Sequence, residues 1–134
     1  MAKEDRKDKT VEQITDILGI GNFDTHLFLC TGPDCCTPEE GAAAWQVVKR
    51  TVKALNPDLR HSKLYRTKVN CLRMCKGGPI AVSYPQGKWF HSVTEENAAS
   101  VVEYLQSGAT EPHPLEFRAH PLFPHNDAHD DPQA

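Results

Sequence analysis

The apolar positions near the start of the chain recur at helical spacing. Thr10 is followed three residues later by Gln13, which is the pattern of a capping box at a helix start. The stripe of apolar residues behind this cap consists of Val11, Ile14, Ile17 and Leu18. The sequence therefore predicts a short helix that ends at Gly19.

A second helical pattern is longer and has clearer ends. Thr37 precedes Pro38 and is followed three residues later by Glu40, so a cap, a first-turn proline and a capping box coincide. The Asn56-Pro57 pair ends the pattern, because the residue before a proline avoids the helical conformation. The apolar stripe consists of Trp45, Val48, Val52 and Leu55.

The remaining periodic stretches predict strands and one more helix. Residues 25–30, THLFLC, form a compact apolar run that is typical of a buried strand. Polar and apolar residues alternate in 63–70, which favours a second strand. The stretches 80–84 and 88–92 flank the turn sequence PQG and predict a hairpin. Residues 94–108 predict a helix capped by Thr94 and closed near Gly108.

This order of elements predicts an α/β fold with a central mixed sheet of about four strands, flanked by helices. The strand–helix–strand unit at 25–70 favours two parallel strands with a right-handed crossover. We interpret residues 1–24 as an arm with the short helix, 25–108 as the folded domain and 109–134 as a tail. The tail holds five of the ten prolines and four of the seven histidines, so we expect it to be mostly extended or disordered.

Composition narrows the class of protein. The chain has 134 residues, is 39% hydrophobic and 25% charged, and carries a net charge of −3, which suits a soluble domain without a nucleic-acid or membrane partner. No apolar run approaches the roughly 20 residues that cross a bilayer. The opening MAKEDRKDKT mixes acids and bases, unlike a signal or transit peptide. We expect a cytoplasmic protein, in which clustered thiols bind metal or do redox work.

The five cysteines fall just after the first two predicted strands. Cys30, Cys35 and Cys36 follow the first strand, and Cys71 and Cys75 follow the second. Because neighbouring parallel strands end at the same edge of a sheet, the two groups of thiols are expected to meet there. Four thiolates are the ligand set of an iron–sulfur cluster or of a structural zinc ion.

The spacing of the cysteines is C-x₄-C, then 35 residues, then C-x₃-C, if Cys35 is the second member. It differs from the dense bacterial [4Fe–4S] run and from the plant-type [2Fe–2S] spacing. Zinc knuckles favour shorter spacings on small scaffolds, whereas this chain has helices and strands of its own. A Cys₄ zinc-binding structural module stays an alternative.

The spacing and its flanking residues resemble the thioredoxin-like [2Fe–2S] ferredoxins. The matching stretches are HLFLCTGPDCC, CLRMCKGGPIAVSYPQGKWFHSVT and the closing EYL, which together cover about residues 25–107. The chain is also similar to the homologous small iron–sulfur subunit of respiratory NADH dehydrogenase. The resemblance implies a thioredoxin-like fold at 25–108 and a one-electron carrier that exchanges electrons with redox enzymes. It also implies a homodimer.

The resemblance further implies which thiols bind the [2Fe–2S] cluster. The implied ligands are Cys30, Cys35, Cys71 and Cys75. Cys36 is then a spare thiol, because adjacent side chains point in different directions and the homologous spacing favours Cys35.

Several residues beside the second cysteine pair are candidates for tuning the cluster or for docking. Arg73 and Lys76 place positive charge in the loop, and Gly77 and Gly78 leave room for backbone N–H groups near the sulfurs. Pro79 is a candidate for the cis proline that the family's fold often has at this point.

The sequence also predicts the class of protein and its reduction potential. Nothing in the sequence resembles a general base or a substrate pocket, so we predict an electron carrier and no catalytic residues. A thiol–disulfide oxidoreductase is a further alternative, but C-x-x-C at a helix start is absent. With thiolate ligands and no nearby histidine, we expect a one-electron potential of roughly −400 to −200 mV.

Overall fold

The structure is a computed structural model that describes residues 6–122. Its helices and strands follow the predicted order, with one strand more at the carboxyl end. The helices are α1 (Val11–Leu18), α2 (Pro38–Leu55) and α3 (Ala98–Ser107), and a short 3₁₀ turn covers Leu59–His61. The strands are β1 (Thr25–Cys30), β2 (Leu64–Val69), β3 (Ala81–Tyr84), β4 (Lys88–Phe90) and β5 (Glu116–Ala119).

The strands form one mixed sheet in the order β2-β1-β3-β4-β5. β1 and β2 are parallel, and every other neighbouring pair is antiparallel. The α/β architecture, the strand–helix–strand unit and the β3–β4 hairpin are therefore confirmed. Within residues 6–122, the sheet has five strands rather than about four.

The first two predicted helix starts are present as expected. Thr10 and Thr37 each accept a hydrogen bond from the third helical N–H and complete a capping box. The predicted cap at Thr94 is wrong, because α3 begins at Ala98 with Asn97 at its N-cap. The backbone carbonyl of Thr94 instead accepts hydrogen bonds from both of these residues, so the preceding segment is a turn. Gly108, at φ 72°, ends the helix as predicted.

The core lies between the sheet and one layer of helices. α2 and α3 pack against each other and against the same face of the sheet. Phe90 and Leu29 are completely buried in this layer, and burial of such a side chain contributes about 2–3 kcal/mol. The other members include Leu27, Leu64, Val48, Val101 and Val102. This packing holds β1 and β2 in position, and with them the edge of the sheet at which both strands end.

The segment after Gly108 differs from the extended or disordered tail that the sequence predicts. β5 pairs antiparallel with β4 and forms an edge of the sheet. Before it, His113 is 8% exposed and hydrogen-bonds Ser100 of α3. This segment folds because it pairs with β4 and places an imidazole against α3. The rest of the predicted tail, 123–134, lies outside the described residues, together with residues 1–5.

Within residues 6–122, every helix is too short or too polar to cross a membrane.

Candidate metal centre

The two cysteine-bearing loops leave the sheet side by side. β1 ends at Cys30, which pairs in parallel register with Val69 at the end of β2. The Thr31 N–H then donates a 2.9 Å hydrogen bond to the Val69 carbonyl. Because this bond lies beyond the last strand pair, the two loops start in contact at the same edge of the sheet.

The first loop holds three thiols in a partly buried group. The Sγ atoms of Cys30 and Cys35 lie 2.8 Å apart. Cys36 has its Sγ 3.8 Å from that of Cys35 and 3.7 Å from the carbonyl oxygen of Gly32. Cys30 and Cys36 are buried and Cys35 is half-buried. Thr37 caps α2 immediately afterwards, so the helix start fixes the position of this group.

The second loop presents its thiols to solvent. Cys71 and Cys75 are both exposed. The backbone N–H of Arg73 donates a 3.1 Å hydrogen bond to Cys71 Sγ. Arg73 and Cys75 have φ values of 68° and 56°, which L-residues adopt at a cost, so the loop curls tightly around Cys71.

Two glycines allow the loops to touch. A Cβ atom on Gly32 would lie 2.8 Å from the carbonyl carbon of Asn70, which precedes Cys71. A Cβ atom on Gly78 would lie 2.8 Å from Cys35 Cβ. Both distances are shorter than real Cβ contacts, so any larger residue would push one loop away from the other. Each loop therefore places a glycine against a residue of the other loop.

The pKa values of the thiols reflect their burial and their closeness to one another. Burial raises the pKa of Cys35 to about 12, helped by hydrogen bonds and charge from Cys30 and Cys36. Burial also raises the pKa of Cys36. The pKa of Cys75 is raised by desolvation first, then by Cys71, Asp34 and Cys30. Thiolates gathered in this way repel one another, and bound metal cations reverse that cost.

The donor set fits a [2Fe–2S] cluster. Such a cluster takes two protein thiolates on each iron, and each loop supplies a pair. Among the described residues, no three His, Cys, Asp or Glu side chains are grouped closely enough to hold a metal ion. Of the groups whose charge raises the pKa of Cys75, Asp34 and Cys30 belong to the first loop, so the two loops are close enough to interact electrostatically. Cys35 contacts both Cys30 and the Gly78 backbone, whereas Cys36 lies against Gly32.

The residues predicted to tune the cluster or to dock a partner lie in the second cysteine loop. Arg73 and Lys76 are exposed and form no ion pair with another residue in the range 6–122. Gly77 has φ 73°, a conformation that favours glycine, and the Gly78–Pro79 peptide bond is cis. The candidate cis proline is therefore confirmed.

Sequence reasoning did not identify several residues that hold these loops. Gly32 and Asn70 form the contact described above. After β4, the Ser92 N–H donates a 2.7 Å hydrogen bond to the Gly77 carbonyl, and Val93 donates a 2.9 Å bond to that of Pro79. Gly32, two residues after the end of β1, is a local signal, whereas the other partners are distant in sequence.

Comparisons with known proteins identify relatives named as 2Fe-2S ferredoxins. No protein-family model matches the chain. A Priestia megaterium protein whose name assigns it provisionally to the 2Fe-2S ferredoxins is 35% identical over 83 residues, which are 62% of this chain and 61% of that protein. A 2Fe-2S ferredoxin of Clostridium pasteurianum is 26% identical over 88 residues, or 62% of this chain and 86% of the relative. The match to the first relative thus spans less than two thirds of its length.

Solved structures give the same result for the fold. The thioredoxin-like [2Fe-2S] ferredoxin from Aquifex aeolicus has a TM-score of 0.61 at 25% identity, covering 77% of this chain and 99% of that one. Its Cys55Ser variant has a TM-score of 0.59 at 25% identity, covering 70% and 98%. The chain has the thioredoxin-like ferredoxin fold. Together with the named relatives, these likenesses support the thioredoxin-like [2Fe–2S] ferredoxin family.

Proposed function

We propose that this chain is a one-electron carrier that binds a [2Fe–2S] cluster through Cys30, Cys35, Cys71 and Cys75. One observation carries the proposal: the parallel ends of β1 and β2 start the two cysteine loops side by side, in a fold shared with a solved [2Fe-2S] ferredoxin. When bound, such a cluster accepts and releases a single electron.

The residues around the thiols have separable roles. Cys30 is buried and anchors the site at the end of β1, whereas Cys71 and Cys75 lie at the surface that a partner approaches. The Arg73 N–H bond to Cys71 Sγ stabilises negative charge on that sulfur, which favours the reduced state. The side chains of Arg73 and Lys76 add positive charge, which solvent screens because both are exposed.

The proposal includes the choice of Cys35 over Cys36 as the second ligand. Cys35 Sγ lies closer to Cys30 Sγ, at 2.8 Å, than to that of Cys36, at 3.8 Å. Its backbone also contacts Gly78 of the other loop. Cys36 is buried against Gly32 at the start of α2 and acts as a small apolar residue.

Anaerobic purification of the full chain tests the function directly. The expected result is about two irons and two inorganic sulfides per chain, reddish-brown colour and a one-electron paramagnetic signal after reduction. Zinc without sulfide would favour the Cys₄ structural module. A colourless, metal-free protein that exchanges disulfides would favour the oxidoreductase. The likeness to ferredoxins indicates an electron carrier rather than an enzyme.

We further propose that redox enzymes of the cytoplasm are its electron donor and acceptor, because exposed thiols stay reduced there. Similarity to the small iron–sulfur subunit of respiratory NADH dehydrogenase stays a prediction.

The homodimer also stays a prediction, and the face of the sheet that carries no helices supports it. This face carries half-buried rings in contact with one another: Phe23, His26, Phe28, Tyr65 and Tyr84. Light scattering of the native protein gives the mass that decides this.

A further inference from the structure

Two exposed apolar side chains lie on connected parts of the surface beside the thiols. Met74 in the second cysteine loop is 42% exposed, and Phe117 in β5 is 41% exposed. The parts are joined through His91, whose Cβ lies 3.8 Å from the point where Gly77 would carry a Cβ. The centroid of its imidazole is 6.1 Å from that of the Phe117 ring. The surface therefore continues from the cysteine loop onto the last strand.

Three cations lie close to these apolar side chains along the chain. Arg73 and Lys76 flank Met74, and Arg118 in β5 stands opposite Trp89 of β4. All three cations are exposed, and none forms an ion pair within the described part of the chain. The nearby carboxylate of Glu116 accepts hydrogen bonds from the His113 N–H and from a tyrosine hydroxyl. Asp34 of the first loop, whose charge acts on Cys75, and Glu116 oppose these three cations, so the surface keeps an excess of positive charge on a chain whose net charge is −3.

We propose that Arg73, Met74, Lys76, Phe117 and Arg118 form a docking surface for an acidic one-electron redox protein. The proposal rests on the proposed function, because the surface borders the exposed thiols of Cys71 and Cys75. Complementary charge steers the encounter of two proteins and orients them. Exposed methionine and aromatic side chains are typical of the centre of such contacts. A small contact of this kind suits transient redox encounters.

The electron transfer itself defines a direct assay. The probe is the soluble domain of cytochrome b5, an acidic haem protein, and cytochrome c is the basic counterpart. The chain is first reduced with dithionite and freed of excess reductant. One electron then leaves the reduced chain, and one ferric haem becomes ferrous, without bond formation or proton transfer. Stopped-flow absorbance of the haem gives the second-order rate constant at each ionic strength.

Charge reversal tests the cationic part. Lys76→Glu and Arg118→Glu are each expected to lower the rate constant with cytochrome b5 at least about threefold at low ionic strength, because steering is lost. The variants should converge with the native protein in high salt, and with cytochrome c their rates should rise. Lys53→Glu is the matched control, since it changes net charge equally but lies about 22 Å along α2 from its first residue. An equal effect of Lys53→Glu would overturn the proposal.

Truncation of side chains tests the apolar part. Met74→Ala and Phe117→Ala should lower the rate constant with cytochrome b5 at both low and high salt. Leu55→Ala at the end of α2, where the side chain is 41% exposed, is the matched control and should change nothing. If Met74→Ala or Phe117→Ala changes the mass in solution, the surface is an interface between copies of this chain and the proposal is wrong.

The outcomes separate this proposal from the proposed function. Visible absorption and iron content of each variant are measured before the kinetics. Absence of a cluster in the native protein would contradict the function itself. A native protein with its cluster that reduces both cytochromes, with rates unchanged by all four substitutions, would overturn only the docking surface.

Discussion

Gly32 lies so close to Asn70 that a Cβ atom at position 32 would stand 2.8 Å from the Asn70 carbonyl carbon. This contact joins the two cysteine loops, because Gly32 follows Cys30 by two residues and Asn70 directly precedes Cys71. The distance between the two pairs of thiols therefore depends on a backbone contact as well as on the cysteines.

Gly32→Ala is expected to abolish most of the visible absorption of the holoprotein. The added methyl group separates the loops and costs about 1–3 kcal/mol of folding stability. Visible absorption and iron content measure the first effect, and urea unfolding measures the second. Gly21→Ala is the control: a Cβ there meets nothing within 4 Å, so only backbone strain at φ 96° is added. A brown Gly32→Ala protein with native iron content would contradict the role of this contact.

The choice between adjacent thiols is open to direct test. Cys35→Ala should abolish the visible absorption, as should alanine at each of the other three proposed ligands. Cys36→Ala should retain it, because its Sγ lies against the Gly32 carbonyl and is buried as a small apolar group. A colourless Cys36→Ala protein beside a normal Cys35→Ala protein would move the second ligand by one residue.

A chain truncated after Gly108 should be less stable than the native chain. It loses β5, the hydrogen bond from the His91 N–H to the Leu115 carbonyl at 3.1 Å, and the cover that His113 provides over the Phe90 ring. We expect a lower melting temperature and faster loss of iron to a chelator. Truncation after Leu122 keeps every described element and serves as the control. Equal stability of both truncated chains would contradict this expectation.

Acidification should loosen the segment from His113 to Leu122. His113 accepts the Leu115 N–H on Nδ1 at 3.1 Å and contacts Ser100 through Nε2 at 2.8 Å, so the fold uses its neutral form. Burial lowers the pKa of His113 despite the charge of Glu116. The unfolded state then binds more protons than the folded state between the lowered pKa and about 6.5, so stability falls as pH falls through that window.

Hydrogen exchange at the amides of 115–122 measures this effect. Exchange, corrected for its intrinsic pH dependence, should accelerate from pH 7 to pH 5 in the native protein. In His113→Gln the slope should be smaller, although His26, whose pKa burial also lowers, still contributes to global stability. Identical slopes in both proteins would show that another group controls the segment.

The reduction potential provides a further check. All-thiolate ligation predicts a one-electron midpoint of roughly −400 to −200 mV. Lys76→Gln removes a cation beside an anionic centre and should lower the midpoint by about tens of millivolts, since exposure screens the charge. A redox titration followed by electron paramagnetic resonance measures both values. A two-electron transition, or a native midpoint above zero, would refute the electron-carrier proposal.

Local sequence signals were sufficient for most elements of the fold. Capping boxes at Thr10 and Thr37, a glycine stop at Gly108 and alternation in β2 depend on neighbouring residues only. The cap at Thr94 was wrong because a threonine followed by acidic residues also suits a turn, and local preference does not distinguish the two. That the two cysteine loops start at the same edge of the sheet could likewise be predicted without a structure, because a right-handed crossover places the ends of neighbouring parallel strands at one edge.

The sequence by itself determined the order of the elements from α1 to α3 and that the two cysteine loops would leave the sheet at one edge. Only the tertiary structure decided that residues 116–119 join the sheet, because strand pairing depends on the exposed edge of β4 and not on the short strand's own pattern. It also decided how Gly32 meets Asn70 and how Gly78 meets Cys35. Such contacts join residues far apart in the chain, and their distances are set by the packing of the whole domain rather than by neighbouring residues.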